Sequence, residues 1–312
     1  MKIRFMVIGY GMIAALPACH SRNRQVETAP QAPAQAFTMP AIPAAITAPG
    51  ERANYLVTHY WDKFNFADTA YIHQPEVAEQ ALADYLSVMP YASVEETKRS
   101  VGQVLVRAEQ EKSGQMYGFF LEMFDKYLYD PNSPYRDDEF YIPVATHVIA
   151  DKRSGEAEKI RMKHTLEGLL KNRQGTVATD FAYLLADGKR GSLHALRADY
   201  TLLMFYNPDC HTCSEAVASL RHSSLVNRLH TTGTLAILLF YPDEDIEIWK
   251  AHLSEIPAGW INGYDPQAKV KEEEIYDLRA IPTLYLLDRD KKVLLKDANF
   301  EKVQTWLIDR FR

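Results

Sequence analysis

The chain has 312 residues, enough for two domains of ordinary size. With 47% hydrophobic and 24% charged residues it is globular in composition, which excludes a disordered or wholly membrane-embedded chain. A net charge of -6 with no basic stripe argues against nucleic acid as a partner, because phosphate binding needs concentrated positive charge.

At the N-terminus Lys2 and Arg4 precede an apolar run, Phe5 to Leu16, too short to stay in a bilayer as a spanning helix. The run ends in Leu16-Pro17-Ala18-Cys19, which resembles the lipobox of bacterial lipoproteins. That resemblance implies a signal peptide over 1–18, removed on export, and a lipid anchor on Cys19. Pro17 departs from the small residue usual there; an ordinary secretory signal and a retained anchor helix are the alternatives. Cysteine arithmetic agrees with lipidation. Three cysteines leave one unmatched in an exported chain, and acylation of Cys19 would leave the single pair Cys210 and Cys213. Residues 19–50, with Pro30, Pro33, Pro40, Pro43 and Pro49 among Ala, Gln and Thr, read as an extended tether. His20 to Arg24 lacks the acidic cluster that marks surface export in Bacteroidetes-type lipoproteins, so the resemblance implies the periplasmic side.

From 51 to 171 the apolar period is helical. Tyr55, Val57, Tyr60, Trp61 and Phe64 form one face, and Val77, Ala81, Leu82, Tyr85 and Leu86 another. Ser93 with Glu96 predicts a capping box ahead of Val101, Val104 and Leu105. A further stripe runs from Tyr117 to Leu128 and stops at Asp130-Pro131-Asn132-Ser133-Pro134. Helices over 137–150 and 156–171 complete an all-α bundle, whose aromatic stripes read as core.

After Gly175 the period becomes two. Phe181, Tyr183 and Leu185 alternate before an Asp187-Gly188 turn, predicting a hairpin. Thr201 to Tyr206 and Leu235 to Tyr241 read as buried strands, and Ser214 to His230 and Glu244 to Ser254 as helices. Leu284 to Leu287 and Val293 to Leu295 form a second hairpin, and Glu301 to Phe311 a closing helix. This is an α/β layout over 172–312.

Cys210-His211-Thr212-Cys213 follows the first of these strands and opens the next helix. Unpaired N–H groups and the helix dipole favour a thiolate there, so Cys210 reads as the attacking thiol. Cys213, one turn on, can resolve the mixed disulfide that Cys210 forms. A pair this close closes too small a loop to be a useful staple, so chemistry is the better explanation. Half of a zinc site is the competing reading, but no second cysteine pair or clustered His pair completes a shell; no metal or other cofactor is expected.

Strand, Cys-x-x-Cys, helix, and then Ile281-Pro282-Thr283 before a strand resembles the thioredoxin pattern. Ala178, Asp180, Phe181, Asp187, Gly188 and Leu193 resemble the added hairpin of its extracytoplasmic TlpA-like branch. Tyr127 to Pro134 and Phe205 to Cys210 resemble segments of Bacteroidetes-type thioredoxin-like lipoproteins, which carry an N-terminal helical domain of unknown function. The resemblance implies an α/β thioredoxin fold after an all-α domain. It also implies a cis Pro282 against the cysteines, with Ile281 presenting backbone to extended substrate. His211 and Thr212 would tune the reduction potential; a protonated His211 would make the pair more oxidising.

Asn207-Pro208-Asp209 replaces the tryptophan-containing approach of the family, Met204 stands where thioredoxin has a buried aspartate, and Ala216 where relatives place an acid. The proton acceptor for Cys213 is therefore open. Asp209 is a candidate, and so is a plain cap of the helix. The reading is a lipid-anchored envelope thiol–disulfide oxidoreductase, reductase-like, acting on protein thiols and recycled by a redox partner. A binding or assembly protein with a structural disulfide and a metallochaperone are the alternatives.

Overall fold

A computed structural model describes residues 37–311. The signal peptide and Cys19 lie outside the described residues. Phe37 is already packed: its ring lies 5.1 Å from that of Tyr60 and 5.6 Å from that of Trp61. The expected tether therefore does not reach to residue 50, because its last aromatic joins a core.

Six helices follow: α1 Pro49–His59, α2 Pro75–Val88, α3 Val94–Ala108, α4 Gln115–Phe124, α5 Asp138–Ala150 and α6 Glu156–Leu170. The predicted aromatic faces meet in one core, where Trp61 sets its ring edge-on to Phe64 and Phe120. Such T-shaped pairs add about 0.5–1.5 kcal/mol each beyond area burial. Two polar groups inside this core satisfy each other: Tyr85 donates to Ser100 Oγ (2.6 Å), which donates to the Val57 carbonyl (2.7 Å). The capping box is half formed. Ser93 Oγ accepts from the Glu96 N–H at 3.3 Å, but the Ser93 N–H goes to Asn54 Oδ1 at 2.7 Å, leaving the Glu96 carboxylate to Arg99. A tertiary acceptor has displaced the local one. After α4 the chain makes one π turn, Asp125–Tyr129, closed by the Asp130 N–H on the Asp125 carbonyl.

The second half contains β1 Ala182–Leu184, β2 Arg190–Ser192, β3 Tyr200–Phe205, α7 His211–His222, α8 Ser224–Thr231, β4 Leu235–Tyr241 and α9 Ile246–Ala251. It ends with β5 Ile261–Tyr264, α10 Lys269–Glu272, β6 Thr283–Asp288, β7 Val293–Ala298 and α11 Phe300–Phe311. The strands form one sheet in the order β2-β1-β5-β4-β3-β6-β7, with β3, β4 and β5 parallel and the others antiparallel to their neighbours. This is the thioredoxin fold behind an all-α domain.

Alternation along the central strands sorts two layers. Leu202, Met204, Ile237, Leu239, Leu284 and Leu286 face α7, α8, α9 and α11. Leu203, Phe205, Leu238, Phe240 and Tyr285 face Phe181 and Tyr276 on the other side. The single helix expected over Ser214 to His230 is two, because Ser223 breaks the run and caps the second through its hydroxyl on the Val226 N–H. Strand β5 was not expected. Its Gly263 is needed for close approach: a Cβ there would lie 2.7 Å from the Tyr183 ring, which also covers Gly191. Residues 175–178 pair their backbone with the turn before β7 and with its first residue, through bonds to Lys291 and Val293.

Candidate functional site

The loop leaving β3 is shaped by Asn207. Its Oδ1 accepts from the Asp209 N–H (3.0 Å), its carbonyl from the Cys210 N–H (3.1 Å), and its Nδ2 donates to Asp243 (3.1 Å). This Asx turn delivers Cys210 to the N-cap of α7, where its carbonyl accepts from the N–H groups of Cys213 and Ser214. Asp209 does not cap the helix. Its carboxylate is exposed and lies 3.7 Å from His252 Nε2, so the capping reading is corrected.

The two thiols are free and differ in environment: Cys210 is half-buried, Cys213 is 1% exposed. Partial burial works against a Cys210 thiolate. Hydrogen bonds from the Thr212 hydroxyl, the Cys213 thiol and the N–H groups of Cys213 and Thr212 outweigh it, so the thiol sits below its ordinary value. Thr212 Oγ1 is 3.0 Å from Cys210 Sγ. Burial pushes Cys213 far above an ordinary thiol, against a smaller opposing contribution from the Asn207 backbone. The arrangement sets one accessible thiol beside one fully buried thiol a turn deeper, a pair able to exchange with a disulfide.

The strip carrying Ile281 closes the site. Cys210 Sγ lies 3.6 Å from the Ile281 carbonyl oxygen, the Ile281–Pro282 peptide is cis, and the Thr283 hydroxyl donates to the Ala280 carbonyl (2.5 Å). The structure thus brings Cys210, Thr212, Cys213, Ile281 and Pro282 together. His211 points away. Its side chain is 87% exposed and its Nε2 lies 3.3 Å from Glu215, which also turns that acid to solvent. Met204 is fully buried in the layer under α7.

Sequence reasoning missed His252. It shares a cavity of about 370 Å³ with Cys213, Asn207, Arg221 and Glu255. Its Nδ1 faces the Ile248 carbonyl at 2.9 Å, a hydrogen bond that raises its basicity, with Glu255 and Asp209 adding to the effect. No motif marks it, because it lies at the end of the short helix α9. Among the described residues no group of three or more His, Cys, Asp or Glu could hold a metal ion, and no helix is long and apolar enough to cross a membrane.

Residues 18–172 match a family described as a domain of unknown function, DUF5106. A thioredoxin-like protein from Bacteroides caccae is similar over nearly the whole molecule: 45% identity, TM-score 0.81, covering 88% of this chain and 99% of that one. The C-terminal domain of an uncharacterized protein from Bacteroides fragilis is 46% identical, with a TM-score of 0.43 over 44% of this chain and 98% of that one. The thioredoxin domain of a thiol-disulfide oxidoreductase from Bacteroides vulgatus is 21% identical, with a TM-score of 0.40 over 45% of this chain and 99% of that one. No curated protein matches the sequence. A two-part architecture shared with the whole of the Bacteroides caccae protein over 88% of this chain shows the family: this chain belongs to the thioredoxin-like proteins that carry a DUF5106 domain ahead of the thioredoxin fold.

Proposed function

We propose that this chain is a thiol–disulfide oxidoreductase of the cell envelope, anchored through an acylated Cys19 and facing the periplasm. Residues 37–171 form its helical domain, a little more than the 51–171 expected from sequence, and 172–312 its redox domain. The observation that carries the reading is the contrast within one helical turn: Cys210 is accessible with the Thr212 hydroxyl 3.0 Å from its sulfur, while Cys213 is buried.

The Cys210 thiolate attacks one sulfur of a partner disulfide, forming a mixed disulfide and releasing the other sulfur as a thiolate. Cys213 then gives up its proton, which the released partner thiolate takes, and attacks Cys210 Sγ. This closes Cys210–Cys213 and frees the second partner thiol; two electrons have passed to the partner. Ile281, beside the reacting sulfur, presents its backbone to the incoming chain. A second redox protein must reopen the pair.

The outward placement of His211 supports the reductase direction. A cation held against Cys210 would stabilise the reduced form and make the pair oxidising, whereas this imidazole is turned towards Glu215 and solvent. The test is non-reducing electrophoresis of envelope extracts from single variants. Cys213→Ser should accumulate covalent adducts with native partners and Cys210→Ser none. The reverse pattern would exchange the roles. No adducts from either, with a bond that mild dithiol cannot open, would favour a scaffold with a structural disulfide.

A further inference from the structure

The segment before Pro282 is gripped by the helical domain. Arg279, only 13% exposed, ion-pairs with Asp138 of α5 through Nη2, and the same nitrogen lies 3.2 Å from Asp277 and 4.0 Å from Asp297. Its guanidinium also stacks over the Tyr129 ring at 4.4 Å, and Tyr129 ends the π turn after α4. Asp138 in turn pairs with Lys296 at 2.8 Å, and Lys296 donates to the carbonyls of Leu169 and Lys171 at the end of α6.

The mount for Asp138 is stiff. Asp137 caps α5 on the Phe140 N–H, and Arg136 donates both to the Pro131 carbonyl (2.7 Å) and to the Asp297 carbonyl and carboxylate (2.7 and 2.8 Å). Asp297 sits at an irregularity of β7 with φ of 48°. Three carboxylates and three cations (Arg136, Arg279, Lys296) thus share one buried cluster across the domain boundary, each side chain no more than 14% exposed. Removing one partner strands the others in a poorly solvated place, so such a cluster resists rearrangement. Arg279 is two residues from Ile281, whose carbonyl touches Cys210 Sγ. No part of this chain of contacts serves the sulfur chemistry itself.

We propose that Asp138, acting through Arg279, is a positioning residue for Ala280, Ile281 and Pro282, and that holding this strip for an extended protein substrate is a function of the helical domain. The substrate part rests on the oxidoreductase reading above; the mechanical part does not. A contact that only glues the domains together would spread its loss over the whole boundary. A positioning contact concentrates it on the strip.

The experiment compares the full chain with Asp138→Ala and the shape-preserving Asp138→Asn, which decides the matter if the alanine variant does not fold. Backbone 15N order parameters at Ala280 and Ile281 should fall by about a quarter in Asp138→Ala and less in Asp138→Asn, with the β4 amides unchanged. In dithiothreitol-driven reduction of insulin, KM should rise about fivefold, with kcat and the rate of Cys210 alkylation by iodoacetamide within twofold. Unchanged order parameters at Ala280 and Ile281 in a folded variant would overturn the proposal. So would alkylation slowing in step with activity, since the cysteine geometry itself would then have moved. Local loosening in Asp138→Ala, with a wild type that neither reduces insulin nor traps partners as Cys213→Ser, would uphold the mechanical role and sink the oxidoreductase reading.

Discussion

At Cys210 the competing influences are small and several, and their sum decides reactivity. Burial opposes the charged sulfur and the hydrogen bonds of Thr212 and the helix start favour it. Reduced protein should therefore take up one equivalent of iodoacetamide at Cys210, with a pH midpoint below that of a free thiol, while Cys213 stays silent until denaturation. A hydrogen bond worth about 0.5–1.5 kcal/mol implies that Thr212→Val slows this alkylation at neutral pH by about two- to tenfold. Mass spectrometry of the labelled peptides reads both, and an unchanged rate in the valine variant would remove Thr212 from the account. The cysteine pair was legible in the sequence because all its parts are adjacent. Arg279 was not: its partner Asp138 lies 141 residues away, and an arginine before a strand looks like an ordinary solvated residue until the two halves are folded together.

Element by element, the switch of period from 3.6 to 2 located most helices and strands, since burial of one face is a local constraint on sequence. It failed where packing is set from elsewhere. Strand β5 has Asn262 and Gly263 in place of an apolar run. Asn262 accepts from Tyr206 and Trp249, and Gly263 makes room for Tyr183. The start of α5 offers a test of a buried cap. Burial lifts Asp137 to about 6, with Asp138 adding to the rise and Lys302 and the Phe140 N–H opposing it. The folded form therefore holds this proton more tightly than the unfolded chain does. Its contribution to stability is full below about pH 4 and is lost as pH rises through 6. Asp137→Asn keeps an acceptor for the Phe140 N–H and removes the charge. The variant should be more stable than wild type at pH 7.5 by about 1–2 kcal/mol, after allowance for partial solvation, and equal to it near pH 4. Urea unfolding at the two pH values checks this, and a gap that persists in acid would contradict it.

Across the whole molecule, attachment is a separate question from fold. If Cys19 carries lipid, wild type should need detergent for extraction and Cys19→Ser should appear in the soluble envelope fraction; unchanged membrane association would refute the anchor. Residues 175–178 hold a further consequence. An uncovered outer strand is a template for any chain with spare backbone donors and acceptors. Here Gly175, Thr176 and Ala178 occupy the start of the β7 rim, at Val293 and the turn before it. A fragment cut after Ala178 would bare that rim, and a second copy of the same fragment is the readiest chain to cover it. Such a fragment should self-associate more strongly than one beginning at residue 172, so the connector between the halves doubles as a guard against aggregation.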